Sequence, residues 1–145
     1  MANALSNFAK GELLKGNIDL VNDTIKLMLL TDSHTPDIDA EEYIDDVSAN
    51  EVAASGSYSA GGVELGTKSV TVDDTNNRAY FDAADVVITA ATITYRYAYL
   101  YKSTGTPSTS QIIGYYDPGS NQTATAGTLT ISFTAPASGG ALYLA

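Results

Sequence analysis

The sequence Thr92-Ile93-Thr94-Tyr95-Arg96-Tyr97-Ala98-Tyr99-Leu100-Tyr101-Lys102 decides the fold class. Side chains of an extended chain point alternately to its two sides, and here one side receives the large residues Ile93, Tyr95, Tyr97, Tyr99 and Tyr101. The other side receives Thr94, Arg96, Ala98 and Leu100. Such strict alternation is typical of a β-strand and does not match helical spacing. The segment therefore predicts one continuous strand over residues 92–102.

The tyrosine row of this strand, which comprises Tyr95, Tyr97, Tyr99 and Tyr101, leaves three interpretations open. Tyrosine joins a large apolar ring to a hydroxyl, so it is enriched where a surface is buried against a partner but stays partly wet. The row is a half-buried sheet face inside the domain, a contact with another subunit or a larger assembly, or a platform for carbohydrate or single-stranded nucleic acid. We take all four as candidate interface residues.

Further strands are predicted on both sides of this segment. Two hairpins precede it, one pairing residues 18–20 with 25–29 around Asn22-Asp23, the other pairing 68–72 with 78–81. Short strands follow from the patterns at 86–89, 112–116, 128–133 and 141–144. Eight to nine short antiparallel strands at turn-punctuated spacing favour a mostly β fold, a β-sandwich or barrel.

One amphipathic helix is predicted at the N-terminus, within residues 1–16. Leu5, Phe8, Ala9 and Leu13 follow helical spacing, and Gly16 ends the pattern. The apolar stripe packs either on the domain's own sheet or on a neighbouring subunit, so Leu5 and Phe8 join the candidate interface residues. With residues 17–145 forming the β part, the chain of 145 residues fits a single domain.

Charge and composition restrict the partners. The chain has 17 acidic and 7 scattered basic residues, a formal net charge of -10, which disfavours nucleic acid as a partner. It has no cysteine, which excludes disulfides, thiolate metal sites and a cysteine nucleophile. Residues 1–16 lack the apolar core of a signal peptide, and no apolar run approaches the roughly 20 residues that cross a bilayer. We expect a soluble protein with no membrane partner.

The segment 32–51 holds eight acidic residues and no Lys or Arg. Pro36 and several turn formers predict a long acidic surface loop, with one helical turn in 41–47 that points Tyr43, Ile44 and Val47 inward. The loop is either solvated or meets a basic partner.

The candidates for chemistry lie in the same loop. His34 is the only imidazole, and because sequence neighbours such as Asp32 and Ser33 do not by themselves converge into a triad, we expect a solvent-exposed histidine. The loop carboxylates lack the aromatic platforms of a glycosidase cleft. Asp37-Ile38-Asp39-Ala40-Glu41 is similar to a calcium loop but lacks its turn glycine and its final Glu, so a solvated loop is favoured over a metal site. We predict no enzyme, no catalytic residue, no metal and no cofactor.

Several segments keep a characteristic order along most of the chain. They are the helix of residues 4–16, the phrase Asp19-Leu20-Val21-Asn22-Asp23-Thr24-Ile25-Lys26-Leu27-Met28-Leu29-Leu30, Tyr43-Ile44-Asp45-Asp46-Val47, Glu51-Val52, Ser57-Tyr58-Ser59-Ala60-Gly61-Gly62, Phe81-Asp82-Ala83-Ala84-Asp85-Val86 and the strand of residues 92–101. In this order and spacing the chain resembles the capsid decoration (cement) proteins and other head-associated structural proteins of tailed phages.

The resemblance implies a β-rich homo-oligomer, with a trimer favoured, that is made in the host cytoplasm and sits on the capsid exterior of the virion. Its partner would be the major capsid protein, and no catalytic residues come with the family. Repeated weak contacts over a lattice add by avidity, and an acidic body stays soluble before assembly. Two alternatives remain open: a tail, neck or fibre-base component, and a carbohydrate-binding module that uses the Tyr95–Tyr101 face.

Overall fold

Ten β-strands and one α-helix are formed by the residues that the computed structural model describes, which are 2–133 and 142–144. In chain order they are β1 Ala2–Leu5, α1 Asn7–Lys15, β2 Ile25–Leu30, β3 Val63–Glu64, β4 Ser69–Asp73, β5 Arg78–Asp82, β6 Val86–Tyr95, β7 Tyr97–Lys102, β8 Ile112–Asp117, β9 Gln122–Ile131 and β10 Leu142–Leu144. Short 3-10 turns lie at Ile44–Asp46, Ser48–Asn50 and Pro107–Thr109. The predicted mostly β fold with one helix near the N-terminus is confirmed.

The strands form three antiparallel sheets. The largest has the order β1-β8-β7-β2-β3, a second has the order β10-β5-β4, and β6 pairs with β9 along a bulged ribbon. Apolar side chains of all three sheets meet in one large core, which gives a β-sandwich-like arrangement.

The five-stranded sheet is covered on both faces. Leu27 and Leu29 of β2 face the large core, whereas Met28 and Leu30 belong to a second cluster on the opposite face. Because both sets of side chains are buried, β2 has a nearly continuous apolar sequence instead of an alternating one.

The N-terminal helix begins later than predicted, because residues 2–5 form an edge strand. β1 pairs with β8, and Leu5 lies opposite Gly114, where a Cβ would stand 2.2 Å from the Ala4 carbonyl oxygen. Ser6 then caps α1 by accepting a hydrogen bond from the Ala9 N–H at 3.0 Å. The predicted end at Gly16 is correct, since this residue has the left-handed φ of 75° that favours glycine at a helix C-terminus.

The first predicted hairpin is wrong, and the second is confirmed. Residues 17–24 form a loop in which the Asp19 carboxylate accepts hydrogen bonds from the backbone N–H groups of Val21 and Asn22 at 3.0 Å each. The Asn22 side chain and these amides hold the pKa of Asp19 below its usual range. β2 pairs instead with β7 and β3, whereas β4 and β5 form the predicted hairpin around residues 74–77.

The remaining predicted strands are present with shifted ends. The strand predicted at 86–89 extends to Tyr95, and that at 112–116 is β8 with one further residue. The strand predicted at 128–133 forms the end of β9, which starts at Gln122 and stops at Ile131. For the last one, β10 covers 142–144, and Ala141 lies outside the described residues.

Candidate functional site

The predicted strand over residues 92–102 is two strands that belong to different sheets. β6 ends at Tyr95, and β7 starts at Tyr97. Between them Arg96 donates its backbone N–H to the Leu30 carbonyl at 2.8 Å, and its guanidinium pairs with Asp117 and lies 4.7 Å from the Tyr97 ring centroid. Arg96 therefore marks the point where the chain passes from the β6–β9 ribbon into the five-stranded sheet.

This break divides the tyrosine row. Tyr95 packs in the large core, whereas Tyr97, Tyr99 and Tyr101 lie with the second cluster on the other face of the sheet. Tyr115 from β8 completes that group, stacked on Tyr99 with ring centroids 5.4 Å apart. We name Tyr97, Tyr99, Tyr101 and Tyr115 the tyrosine face.

The acidic segment 31–51 covers the tyrosine face. Its 3-10 turn buries Ile44 and Val47 against Met28, Leu30 and Ile112, as the sequence predicted for the two aliphatic residues; Tyr43 is half-buried beside Phe8. Backbone hydrogen bonds join the segment to the start of β8, from the Ile44 N–H to the Ser110 carbonyl and from the Ile112 N–H to the Glu42 carbonyl, both at 2.9 Å. The acidic loop is therefore a structural layer whose charged side chains are mainly on its outer side.

A buried polar cluster ties this layer to the sheet. His34 Nε2 lies 2.9 Å from the Tyr99 hydroxyl and 3.0 Å from Glu41 Oε1, and the Tyr99 hydroxyl donates to Glu41 Oε2 at 2.8 Å. Burial, together with the hydrogen bond to the Glu41 carboxylate, raises the pKa of Tyr99 far above its usual value. The prediction that His34 is solvent-exposed is wrong, because this imidazole is turned inward from its loop.

The geometry of this His34–Glu41–Tyr99 cluster is better suited to holding the acidic segment on the sheet than to reacting with a substrate. The Tyr99 side chain is 0% exposed, and the His34 and Glu41 side chains are both buried. With Glu41 ionised, both its oxygens accept hydrogen bonds, so the Nε2–H tautomer of His34 satisfies the cluster. These contacts join the acidic segment to β7 and fix the segment's position over the tyrosine face.

A second polar cluster, not predicted from the sequence, holds the Gly-rich segment 55–62 on the same sheet. Glu51 Oε1 accepts from the Tyr58 hydroxyl and from the Gly61 N–H, both at 2.8 Å, and the Tyr58 hydroxyl accepts from the Leu29 N–H at 2.9 Å. Burial raises the pKa of Tyr58 well above its usual value. The one available signal was a lone tyrosine among small residues.

Two consecutive glycines bring that segment close to β2. Gly61 and Gly62 have φ values of 86° and 77°, and a Cβ on Gly62 would stand 2.1 Å from the Leu27 carbonyl oxygen. Only glycine allows this close approach to β2.

In the calcium-like sequence 37–41, the carboxylates of Asp37 and Glu41 accept hydrogen bonds from backbone N–H groups of the same segment. Asp37 Oδ1 accepts from the N–H groups of Asp39 and Ala40, and Glu41 Oε1 accepts from the Asp37 N–H at 3.1 Å. Asp39 Oδ1 accepts a hydrogen bond from the Asn7 amide. Across residues 2–133 and 142–144, no three His, Asp or Glu side chains converge as a metal site would require.

The candidate interface residues have different fates. Tyr95, Tyr99 and Tyr101 are buried inside the chain, so the interpretation of the row as a partner contact or as a carbohydrate platform is corrected for these three. Leu5, Phe8 and Tyr97 are half-buried. The described residues expose a different apolar surface.

That surface lies where α1 meets the edge of the three-stranded sheet. A groove there is lined by Leu13, Leu14, Leu20, Val70 and Leu144, and Val72 follows on the same strand face as Val70. Leu14 is 91% exposed and Val72 is 70% exposed. We name these six residues the α1–β4 patch. Its sequence signal was the alternation of Val70 and Val72 with Ser69 and Thr71 in the second predicted hairpin.

No family model, no curated protein and no solved structure matches the chain. Among the described residues, no helix is long and apolar enough to cross a membrane.

Proposed function

We propose that the chain is a structural protein of a tailed-phage virion that binds the outside of the major capsid lattice and stabilises it. The sequence resemblance suggests this role, and the α1–β4 patch is the structural observation that carries it. Four of its six side chains, Leu14, Val70, Val72 and Leu144, are exposed, and clustered exposed apolar side chains mark surfaces that bind another macromolecule.

The internal construction of the domain is in line with such a role. Both faces of the central sheet are covered within the chain, and the acidic layer is fixed by the His34–Glu41–Tyr99 cluster. A rigid body with an adhesive outer surface is what a cement protein requires, because every copy must present the same surface to a repeating lattice.

Re-addition to capsids tests the role. Particles that lack this chain are mixed with the purified protein and sedimented, and the bound copies are counted by gel densitometry. Leu14→Asp is the test variant and Val87→Asp the control, because Val87 is also well exposed, at 53%, but lies on β6.

We expect saturable binding by the unaltered chain and by Val87→Asp, with at least a tenfold loss of affinity for Leu14→Asp. Absence of binding by the unaltered chain contradicts the proposal. Binding to isolated tails instead of heads supports the tail or neck alternative. No second function is favoured, because the buried rings of Tyr95, Tyr99 and Tyr101 offer no platform to a sugar.

A further inference from the structure

Strand β4 is an edge strand that the described part of the chain leaves open. It lies at the end of the order β10-β5-β4, so one side of its backbone is unpaired within the described residues. Residues 69–72 read Ser-Val-Thr-Val and are all exposed. Natural proteins usually protect such an edge with a charge, a proline or a bulge. β4 has none of these before its last residue, Asp73, so its middle residues can pair with another strand.

The side chains of β4 extend the apolar inner face of its sheet. Val70 lies opposite Phe81, which in turn lies opposite Leu142, and both of these partners are buried in the large core. Val72 occupies the same face two residues further on. A strand added at this edge would continue the core outward.

The sequence around β4 is complementary to itself. If two β4 strands pair antiparallel about a two-fold axis at Thr71, Val70 of each copy lies opposite Val72 of the other. In this register Lys68 lies opposite Asp74, twice, once on each side of the axis. Cross-strand pairs of opposite charge and of β-branched residues both stabilise a sheet.

We propose that two copies of this chain associate through antiparallel pairing of their β4 strands, with the two-fold axis at Thr71. The two three-stranded sheets then become one continuous sheet, and the four valines form an apolar cluster across the axis. A second copy is the partner that the edge fits, because it supplies both the matching valines and the opposite charges. The dimer uses the β4 side of the α1–β4 patch, Val70 and Val72, whereas the proposed capsid contact is tested on its α1 side at Leu14, so the two proposals concern different parts of the patch.

The oligomeric state is the first test. Light scattering after size exclusion should give twice the 15.2 kDa of one chain for the unaltered protein at micromolar concentration. Val72→Lys should give the single-chain mass, while Val87→Lys, the matched control on β6, should keep the double mass. A single-chain mass for the unaltered protein overturns the proposal, and so does a trimer.

A cross-link tests the register. The chain has no cysteine, so Thr71→Cys introduces one thiol for each copy. Directly opposite Cα atoms of an antiparallel pair are about 4.5–5.5 Å apart, a separation that a disulfide can span. We expect nearly complete cross-linking of Thr71→Cys under mild oxidation and little for Thr130→Cys, an exposed threonine of β9. A dimer in which Thr71→Cys does not cross-link overturns the proposal.

A charge swap separates association from folding. Lys68 also donates to the Asp23 carbonyl oxygen, so a loss in Lys68→Asp alone could have another cause. Asp74→Lys alone should raise the dissociation constant about tenfold, and the double variant Lys68→Asp/Asp74→Lys should restore most of the affinity. Failure of the double variant to recover association contradicts this register. Neither result depends on capsid binding, so this proposal and the proposed function can fail separately.

Discussion

Removing the hydroxyl of Tyr99 should weaken the attachment of the acidic layer to the sheet. In Tyr99→Phe the ring keeps its volume and its stack on Tyr115, so no cavity forms. The hydroxyl loses its hydrogen bond to Glu41 at 2.8 Å and its contact with His34 at 2.9 Å. One oxygen of a buried carboxylate thereby loses its partner.

The expected cost follows from these two contacts. A hydrogen bond to a charged group contributes about 1.5–3 kcal/mol, and a neutral one about 1 kcal/mol. Because the His34–Glu41 contact at 3.0 Å remains, we expect a net loss of about 2–3 kcal/mol in the free energy of unfolding. At this chain length the midpoint of thermal unfolding should fall by about 6–10 °C.

Urea and thermal unfolding, followed by circular dichroism and tyrosine fluorescence, measure this change. Tyr143→Phe is the control, because Tyr143 is half-exposed and its ring can remain beside Arg78 without its hydroxyl. A double-mutant cycle with Glu41→Gln should give a coupling of about 1 kcal/mol or more. If Tyr99→Phe lowers the free energy of unfolding by less than about 0.5 kcal/mol, the change expected for the Tyr143→Phe control, the cluster does not hold the acidic layer in place.

Three further results are expected. Gly62→Ala should lower the free energy of unfolding by about 2–4 kcal/mol, because its Cβ would collide with the Leu27 carbonyl oxygen. Gly11→Ala in α1 meets nothing within 4 Å and should raise the free energy of unfolding by about 0.5–1 kcal/mol. Urea unfolding of both variants measures this contrast. Burial raises the pKa of Tyr95 and of Tyr101 to about 12, so the folded state holds protons that the unfolded state releases above about pH 10. Stability should be complete below that pH and fall as the pH rises towards about 12, which tyrosinate absorbance rising together with loss of circular dichroism would reveal; tyrosines that ionise while the fold persists would contradict it. Val47→Ala should cost about 1–3 kcal/mol and speed hydrogen exchange at the Ile44 and Ile112 amides, and unchanged exchange would show that the layer does not depend on this side chain.

Patterns among residues close in sequence predicted the β class, one hairpin and one buried turn. Alternation identified the β class, the turn residues located the β4–β5 hairpin, and the inward positions of Ile44 and Val47 followed from spacing within one turn.

What could not be predicted depends on contacts between distant residues. The alternation continues through Arg96, so the sequence pattern does not reveal that the chain passes from one sheet to another there. That passage depends on two distant partners: Asp117 binds the Arg96 guanidinium, and the Leu30 carbonyl accepts the Arg96 N–H. The prediction of the first hairpin was wrong for a similar reason. The partners of β2 are the strands that the fold places beside it, β7 and β3, and not its neighbours in sequence.

The main error at the candidate site was the prediction that His34 is exposed to solvent. Nothing next to it in sequence indicates burial, because its partners are Glu41, seven positions later, and Tyr99, on β7. The exposed β4 edge illustrates the converse case. The strand and its valines could be predicted from the alternating pattern, but only the strand order β10-β5-β4 shows that no further strand of the described chain covers it.

Cryo-microscopy of the particle that encodes this chain tests the proposed role most directly. We expect density for this β-sandwich-like body at repeated positions on the outer surface of the capsid, with Leu14 and its neighbours on α1 turned towards the major capsid protein. A shell that is complete without such density, from particles in which the chain is expressed, would contradict it.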